Sequence, residues 1–132
     1  LHMSRVFYHG AYKYPRELNW VIGVVLLVLT LVMSFTGYLL PFDQRSFWAT
    51  VVGVNINGTA PFLGPYLSDF LRAGPEFGAT TLARFYSIHM LAIPGLMAAL
   101  ITVHMYLVVK LGITAPPWVK ARLAEPPEKE LL

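Results

Sequence analysis

Two long stretches of the sequence carry no charged side chain. Residues 18–42 and residues 85–109 contain no Asp, Glu, Lys or Arg, and aliphatic and aromatic side chains dominate both. A helix needs about 20 apolar residues to cross the hydrocarbon core of a bilayer. Each stretch therefore predicts one membrane-spanning helix, the first over residues 17–40, where Pro41 ends it, and the second over residues 80–111.

The segments before and between these stretches are shorter and more polar. Residues 1–10 are predicted to form the end of a helix that Gly10 stops. Residues 41–79 are rich in Gly and Pro and are predicted to form an outer loop. Within that loop, residues 47–52 and 65–71 are typical of short helices that lie on a membrane surface.

Three further local signals concern the second span and the segment after it. Thr80 is the predicted N-cap of the span, and Pro94 followed by Gly95 should kink it. Residues 118–132 combine prolines with charges, which predicts a peripheral and partly disordered tail.

The composition favours a membrane protein. Hydrophobic residues make up 56% of the 132 residues and charged residues only 13%, whereas a soluble domain is about 25% charged. The first apolar stretch is too long for the core of a signal peptide and no small-residue cleavage site follows it. Without cysteine, these residues offer no disulfide, no thiolate metal site and no thioether attachment of a c-type haem. Nothing in the sequence suggests nucleic-acid binding.

The placement of the positive charges predicts the orientation in the membrane. Lys and Arg near the ends of spans accumulate on the cytoplasmic side. Six flank the two predicted spans on the side of the chain ends (Arg5, Lys13, Arg16, Lys110, Lys120 and Arg122), and three lie in the segment between the spans (Arg45, Arg72 and Arg84). Residues 1–16 and 112–132 are therefore expected on the cytoplasmic side.

Two histidines lie in the second apolar stretch. A polar ring is costly in hydrocarbon, so His89 and His104 are candidates for a functional role. They are about 22 Å apart along a helix, so they cannot share one metal ion but could each hold a cofactor. Neutral imidazole is a natural axial ligand of b-type haem iron. The alternative is that both rings are packing residues that form hydrogen bonds with neighbouring helices.

Two glycines are spaced like the two intramembrane histidines, and two arginines lie close to histidines in the sequence. Gly23 and Gly37 are about 21 Å apart on the first span, so they could admit two flat macrocycles or simply allow close helix packing. Arg5 lies three residues after His2, and Arg84 lies five residues before the first intramembrane histidine. Both could pair with haem propionates or only extend to the interface.

These features resemble cytochrome b of the quinol:cytochrome c and quinol:plastocyanin oxidoreductases. The cytochrome b6 branch is the most similar in order and spacing, over residues 1–6 (LHMSRV), 13–23 (KYPRELNWVIG), 36–44 (TGYLLPFDQ) and 84–89 (RFYSIH). The resemblance extends to about Pro117. It implies an all-α membrane protein with part of the family's four-helix haem bundle: the end of its second helix, its third and fourth helices, and surface helices in the outer loop.

The resemblance also implies haem ligands. His2 and His104 would ligate a high-potential haem on the cytoplasmic side, and His89 a low-potential haem on the outer side. The family's second ligand of the low-potential haem precedes the His2 position by fourteen residues, so the chain is expected to be an N-terminally incomplete fragment. The same reasoning leaves an additional covalently attached haem undecided. Haem contacts are implied for a further set: Gly23, Gly37, Arg5, Arg84 and Trp20.

The outer loop resembles one wall of the family's quinol-oxidising pocket. The implied wall residues are Tyr38, Phe47, Trp48 and Ala49. Mitochondrial-type members have glycine where this chain has Ala49, which puts sensitivity to some inhibitors of the pocket in doubt. The family's Pro-Glu-Trp-Tyr segment is absent, so these residues cannot form the whole pocket.

The implied function is that of a di-haem b-type cytochrome subunit in a bc-type quinol oxidoreductase complex. Its substrate would be quinol, oxidised at the outer face, and quinone, reduced at the inner face. The expected partners are a Rieske-type iron–sulfur subunit, a c-type cytochrome, the remaining cytochrome b portion or a subunit IV-like chain, and membrane lipid. The complex is expected to be homodimeric and to lie in a bacterial plasma membrane rather than a thylakoid. Two alternatives are a di-haem anchor of another respiratory enzyme and a haem-free anchor or transporter piece.

Overall fold

The computed structural model describes residues 1–124, and within that range the regular secondary structure is all helical, with no strand. The predicted all-α fold is therefore confirmed. Residues 1–124 contain seven α-helices: α1 His2–Tyr8, α2 Glu17–Tyr38, α3 Gln44–Gly58, α4 Gly64–Arg72, α5 Ala79–Ser87, α6 Ile93–Leu111 and α7 Pro117–Ala124.

Two helical runs are long and apolar enough to cross a membrane. The first is α2, and the second is the 33-residue run Ala79–Leu111, which joins α5 to α6. Most of their aliphatic side chains are exposed on the isolated chain. Such apolar surfaces are unfavourable in water and favourable among lipid tails. Their exposure therefore agrees with the composition, which favours a membrane protein.

The second run contains an irregular turn. Residues Ile88–Ala92 form a π-helical turn that ends two residues before Pro94, and the helix continues through the proline. Proline lacks the N–H that an α-helix requires at that position, and a wider turn is one way to accommodate it. The irregularity expected at Pro94 and Gly95 thus takes the form of a π turn that begins six residues earlier and includes His89.

The segment between the two runs is more helical than predicted. The expected short helices, residues 47–52 and 65–71, lie inside the longer α3 and α4. At the start of α3, the Asp43 carboxylate accepts a hydrogen bond from the Ser46 amide (2.8 Å), and the Ser46 hydroxyl receives one from the Asp43 amide (3.0 Å). This reciprocal cap satisfies two of the free amides at the helix start.

The Asp43 cap leads to a pH prediction. The hydrogen bond from the Ser46 amide holds the pKa of the Asp43 carboxyl below its usual value, so the cap stabilises α3 above the ordinary carboxyl pKa of about 3.9 and is lost as pH falls through the lowered value. In the purified protein, we expect Asp43→Ala to speed hydrogen exchange at the start of α3 at neutral pH. Asp43→Asn should keep the protection and lose its pH dependence. Equal loss in both variants would contradict the capping role.

The start of α5 differs from the prediction. Thr80 is not the N-cap, because the helix begins at Ala79 and Gly78 precedes it. The neighbouring hydroxyl does the capping instead: Thr81 Oγ1 accepts from the Gly78 amide (3.1 Å) and donates to the Arg72 carbonyl (2.7 Å). Thr81 is buried by this double contact, which ties the end of α4 to the start of α5.

A small apolar core lies in the compact unit formed by residues 26–99. Its buried members are Leu39, Val54, Leu71 and Phe85, and four half-buried side chains surround them (Phe35, Phe77, Leu82 and Ile88). The rings of Phe35 and Phe85 are 5.6 Å apart. This core fixes α3, α4 and α5 against the end of α2.

The second compact unit comprises residues 1–25 and, among the described residues, 100–124. The Arg16 guanidinium donates to the Leu111 and Gly112 carbonyls, at 3.1 Å each, where α6 ends. Helix α7 includes the first residues of the predicted tail, which is expected to begin at residue 118. It starts at Pro117, because proline is suited to the first position of a helix. The rest of the predicted tail, residues 125–132, lies outside the described residues.

Candidate functional site

His2 and His104 face each other in the unit that contains both chain ends. Their ring centres are 6.3 Å apart and their ring planes are inclined at 81°. A metal–imidazole bond is about 2.0 Å long and the bonding nitrogen lies about 1 Å from the ring centre, so two imidazoles on opposite sides of one metal ion place their centres about 6 Å apart. The observed spacing therefore fits a pair of axial ligands.

The surroundings of His104 support this interpretation. Its Nδ1 atom is buried and finds no hydrogen-bond partner among the described residues. Gly23 of α2 lies beside the ring, and a Cβ built on that glycine would be 3.4 Å from the His104 Cε1 atom. A half-buried imidazole beside a glycine and opposite a second imidazole has the donor set that a haem requires.

His89 has a closer environment in the unit formed by residues 26–99. Its Nδ1 atom is 3.1 Å from the hydroxyl of Thr36, which is 1% exposed. A Cβ built on Gly37 would lie 2.6 Å from the His89 Cε1 atom, closer than carbon atoms approach in proteins. The glycine is therefore needed for the ring to occupy this position. The sequence showed only that the two glycines are spaced like the two histidines. The structure shows that Gly23 lies beside His104 and Gly37 beside His89.

The other predicted haem contacts are placed as follows. Arg5 and Trp20 are exposed, on α1 and at the start of α2. The Arg84 guanidinium donates to the Phe70 carbonyl (2.8 Å) and lies 4.6 Å from the centre of the Phe70 ring, so it links α5 to α4. Pairing of Arg5 and Arg84 with propionates stays a prediction.

The structure divides the predicted quinol-pocket residues between two places. Tyr38 and Ala49 line one cavity of about 420 Å³ between α2 and α3, together with Ser34, Phe35, Thr50, Val52, Gly53 and Ile56. Phe47 lines a smaller pocket elsewhere. Trp48 is exposed, and its indole N–H donates to the Gln44 side chain (3.0 Å). Tyr38 and Ala49 thus share one cavity, whereas Phe47 and Trp48 pack edge-on against each other, with 5.2 Å between their ring centres.

Other kinds of metal site find no support in the described part of the chain. No group of three or more His, Asp or Glu side chains comes together there, and the chain has no cysteine. A metal ion held entirely by side chains needs about four ligands, as structural zinc does. A haem needs only axial ligands from the protein, because the porphyrin supplies the rest.

Sequence reasoning missed two residues near these sites. Thr36 precedes Gly37 directly and contacts His89, but a threonine in an apolar run carries no signal of its own. His9 was not singled out; its ring packs edge-on against Trp118, with 6.1 Å between the centres. It lies on the connection after α1.

Two apolar spans, with histidines packed against glycines of α2, define a helical membrane protein of the haem-binding type. Comparison with known proteins gives the same class of protein. The family described as Cytochrome b(N-terminal)/b6/petB matches residues 1–127, so the chain belongs to this family, as the resemblance predicted.

Two relatives and a chain of a solved structure illustrate the similarity. Cytochrome b6 of Heliobacterium modesticaldum is 45% identical over 116 residues, which are 88% of this chain and 54% of that protein. The menaquinol:cytochrome c reductase cytochrome b subunit of Geobacillus thermodenitrificans is 43% identical over 117 residues, 88% of this chain and 52% of that subunit. A chain of a hyperthermophilic respiratory Complex III superposes with a TM-score of 0.78 at 30% identity, covering 96% of this chain and 35% of its own. The chain thus spans about half the length of these two curated relatives.

Proposed function

We propose that this chain is the haem-carrying portion of the cytochrome b subunit of a bc-type complex, and that it moves electrons between quinol and quinone across a membrane. The observation that carries the proposal is the 6.3 Å spacing of the His2 and His104 rings. Family membership over residues 1–127 supports it. A b-type haem, when bound, takes up and releases single electrons at its iron.

The protein's own residues would hold and orient the cofactors. His2 and His104 are assigned to the high-potential haem, and His89 to the low-potential haem. Gly23 and Gly37 lie beside the His104 and His89 rings, where the lack of a side chain lets the rings approach α2.

The orientation, the substrates and the partners belong to the same proposal. Residues 1–16 and 112–132 are assigned to the cytoplasmic side of a bacterial plasma membrane on the basis of the positive charges. Quinol would be oxidised at the outer side, where the cavity lined by Tyr38 and Ala49 contributes part of a pocket. Quinone would be reduced at the inner side. The proposed partners are a Rieske-type subunit, a c-type cytochrome and the remaining portion of cytochrome b, in a homodimeric complex.

The test is a reduced-minus-oxidised spectrum with haem quantification on the purified complex. We expect two b-type haems per copy of the chain. An intact, folded complex without haem absorption would contradict the proposal and leave a haem-free anchor or transporter piece in its place.

A further inference from the structure

Thr36 and His89 form a hydrogen bond between the two membrane-spanning runs. The threonine is on α2 and the histidine is in the π turn, and the Oγ1–Nδ1 distance is 3.1 Å. Thr36 is 1% exposed, so water cannot compete for its hydroxyl. A buried imidazole N–H without a partner would be costly, which makes this contact energetically significant.

The direction of this hydrogen bond follows from the backbone around Thr36. Its hydroxyl lies 2.9 Å from the Val32 carbonyl and 3.2 Å from the Met33 carbonyl. These carbonyls can only accept, and the hydroxyl has a single hydrogen. With that hydrogen directed back along the helix, as is common for threonine in helices, the hydroxyl oxygen accepts from His89. In this assignment Nδ1 of His89 carries the proton, and Nε2 is left with a free lone pair.

We propose that Thr36 is a positioning residue that fixes the tautomer and the orientation of His89 as a haem ligand. The inference rests on the proposed function. A hydrogen bond accepted from the distal N–H of a metal-bound imidazole orients the ring and raises its basicity. A more basic ligand favours the oxidised, more positive iron, so Thr36 lowers the reduction potential of the haem held by His89.

The environment of the ring strengthens the argument. Gly37, the next residue, approaches so closely that a built Cβ would be 3.1 Å from the same Nδ1 atom. The ring thus lies against two successive residues of α2. Thr36 forms a hydrogen bond with it, and Gly37 packs closely against it. His104 has no such partner within the described residues, since its Nδ1 is buried and unpaired. The two haem sites therefore differ in their hydrogen bonding as well as in their position in the sequence.

The experiment compares variants of the intact complex by redox titration of the haem spectra and by low-temperature EPR of the oxidised haems. Thr36→Val removes the hydroxyl and keeps the shape of the side chain. We expect both haems to remain, and the potential of the His89 haem alone to rise. We expect a change of about tenfold in the iron's preference between its two oxidation states, which corresponds to about 59 mV for one electron. The EPR signal of the same haem should shift.

Two variants control the result. Thr36→Ser retains the hydroxyl and should keep the original potential. Thr30→Val makes the same substitution on the same helix, where the hydroxyl bonds only to the Leu26 carbonyl (2.8 Å), and should change neither haem. If Thr36→Val does not assemble, Thr36→Ala tests the same hydroxyl with a smaller side chain.

The possible outcomes distinguish failure of the positioning role of Thr36 from failure of the proposed function. Both haems present with an unchanged potential and EPR signal in the Thr36 variants would overturn the positioning role and leave the proposed function intact. A lower potential in Thr36→Val would overturn it too, because it would mean that the hydroxyl donates to Nδ1. A wild-type complex without haem would overturn the proposed function itself.

Discussion

Replacing His104 by leucine is expected to remove one of the two b-type haems from the purified complex. The leucine side chain has about the volume of the imidazole but offers no lone pair, so the ring of His2 would lose the partner that now lies 6.3 Å away. The difference spectrum should lose the high-potential component and keep the low-potential one. Haem content per chain should fall by about half, from two haems to one, because each b-type haem needs its axial ligands from the protein.

The matched control for this substitution is His9→Leu. His9 is also half-buried and also contacts an aromatic ring, that of Trp118, but it faces no second imidazole. This variant should keep both haems and both potentials. The reciprocal variant, His89→Leu, should lose the low-potential component and keep the other. If His104→Leu retained both haems with an unaltered spectrum, the ligand assignment would be wrong.

The two spans and the histidines were predictable because their signals are local. A run of about 20 residues without charge needs no knowledge of its neighbours to be identified as a span. A histidine inside such a run, as at His89 or His104, is informative by itself, because its polarity is costly there. The spacing of Gly23 and Gly37 could be compared with the histidine spacing by simple helix geometry.

Other features depend on how helices meet, and the sequence could not show them. Thr36 contacts a residue 53 positions away in sequence, and its role follows only from the register of α2 against the π turn. The same turn arises because a helix can accommodate Pro94 in several ways, including a kink or a wider turn. The Asp43 cap has serine where the usual capping box has Glu or Gln, which hides it from the standard signature.

Replacing Gly37 by alanine is expected to displace His89 and to impair the low-potential haem. The added methyl carbon would lie 2.6 Å from the Cε1 atom of the ring, whereas carbon atoms in contact prefer about 3.5–4.0 Å. Either the ring or the helix must move by about 1 Å. The ring is also held by the Thr36 hydroxyl, so it cannot yield without breaking that bond. Overpacking of this kind costs about 1–3 kcal/mol.

The measurement for Gly37→Ala is the haem content and the EPR spectrum of the purified complex. We expect partial or complete loss of the haem held by His89, or a shifted EPR signal where it remains, with the high-potential haem unaffected. Gly95→Ala is the matched control, because a Cβ built on Gly95 meets nothing within 4 Å among the described residues. Alanine there should be neutral or slightly stabilising, since it favours a helix by about 1 kcal/mol over glycine. If the two variants behaved alike, contact between Gly37 and the ring would not be what places His89.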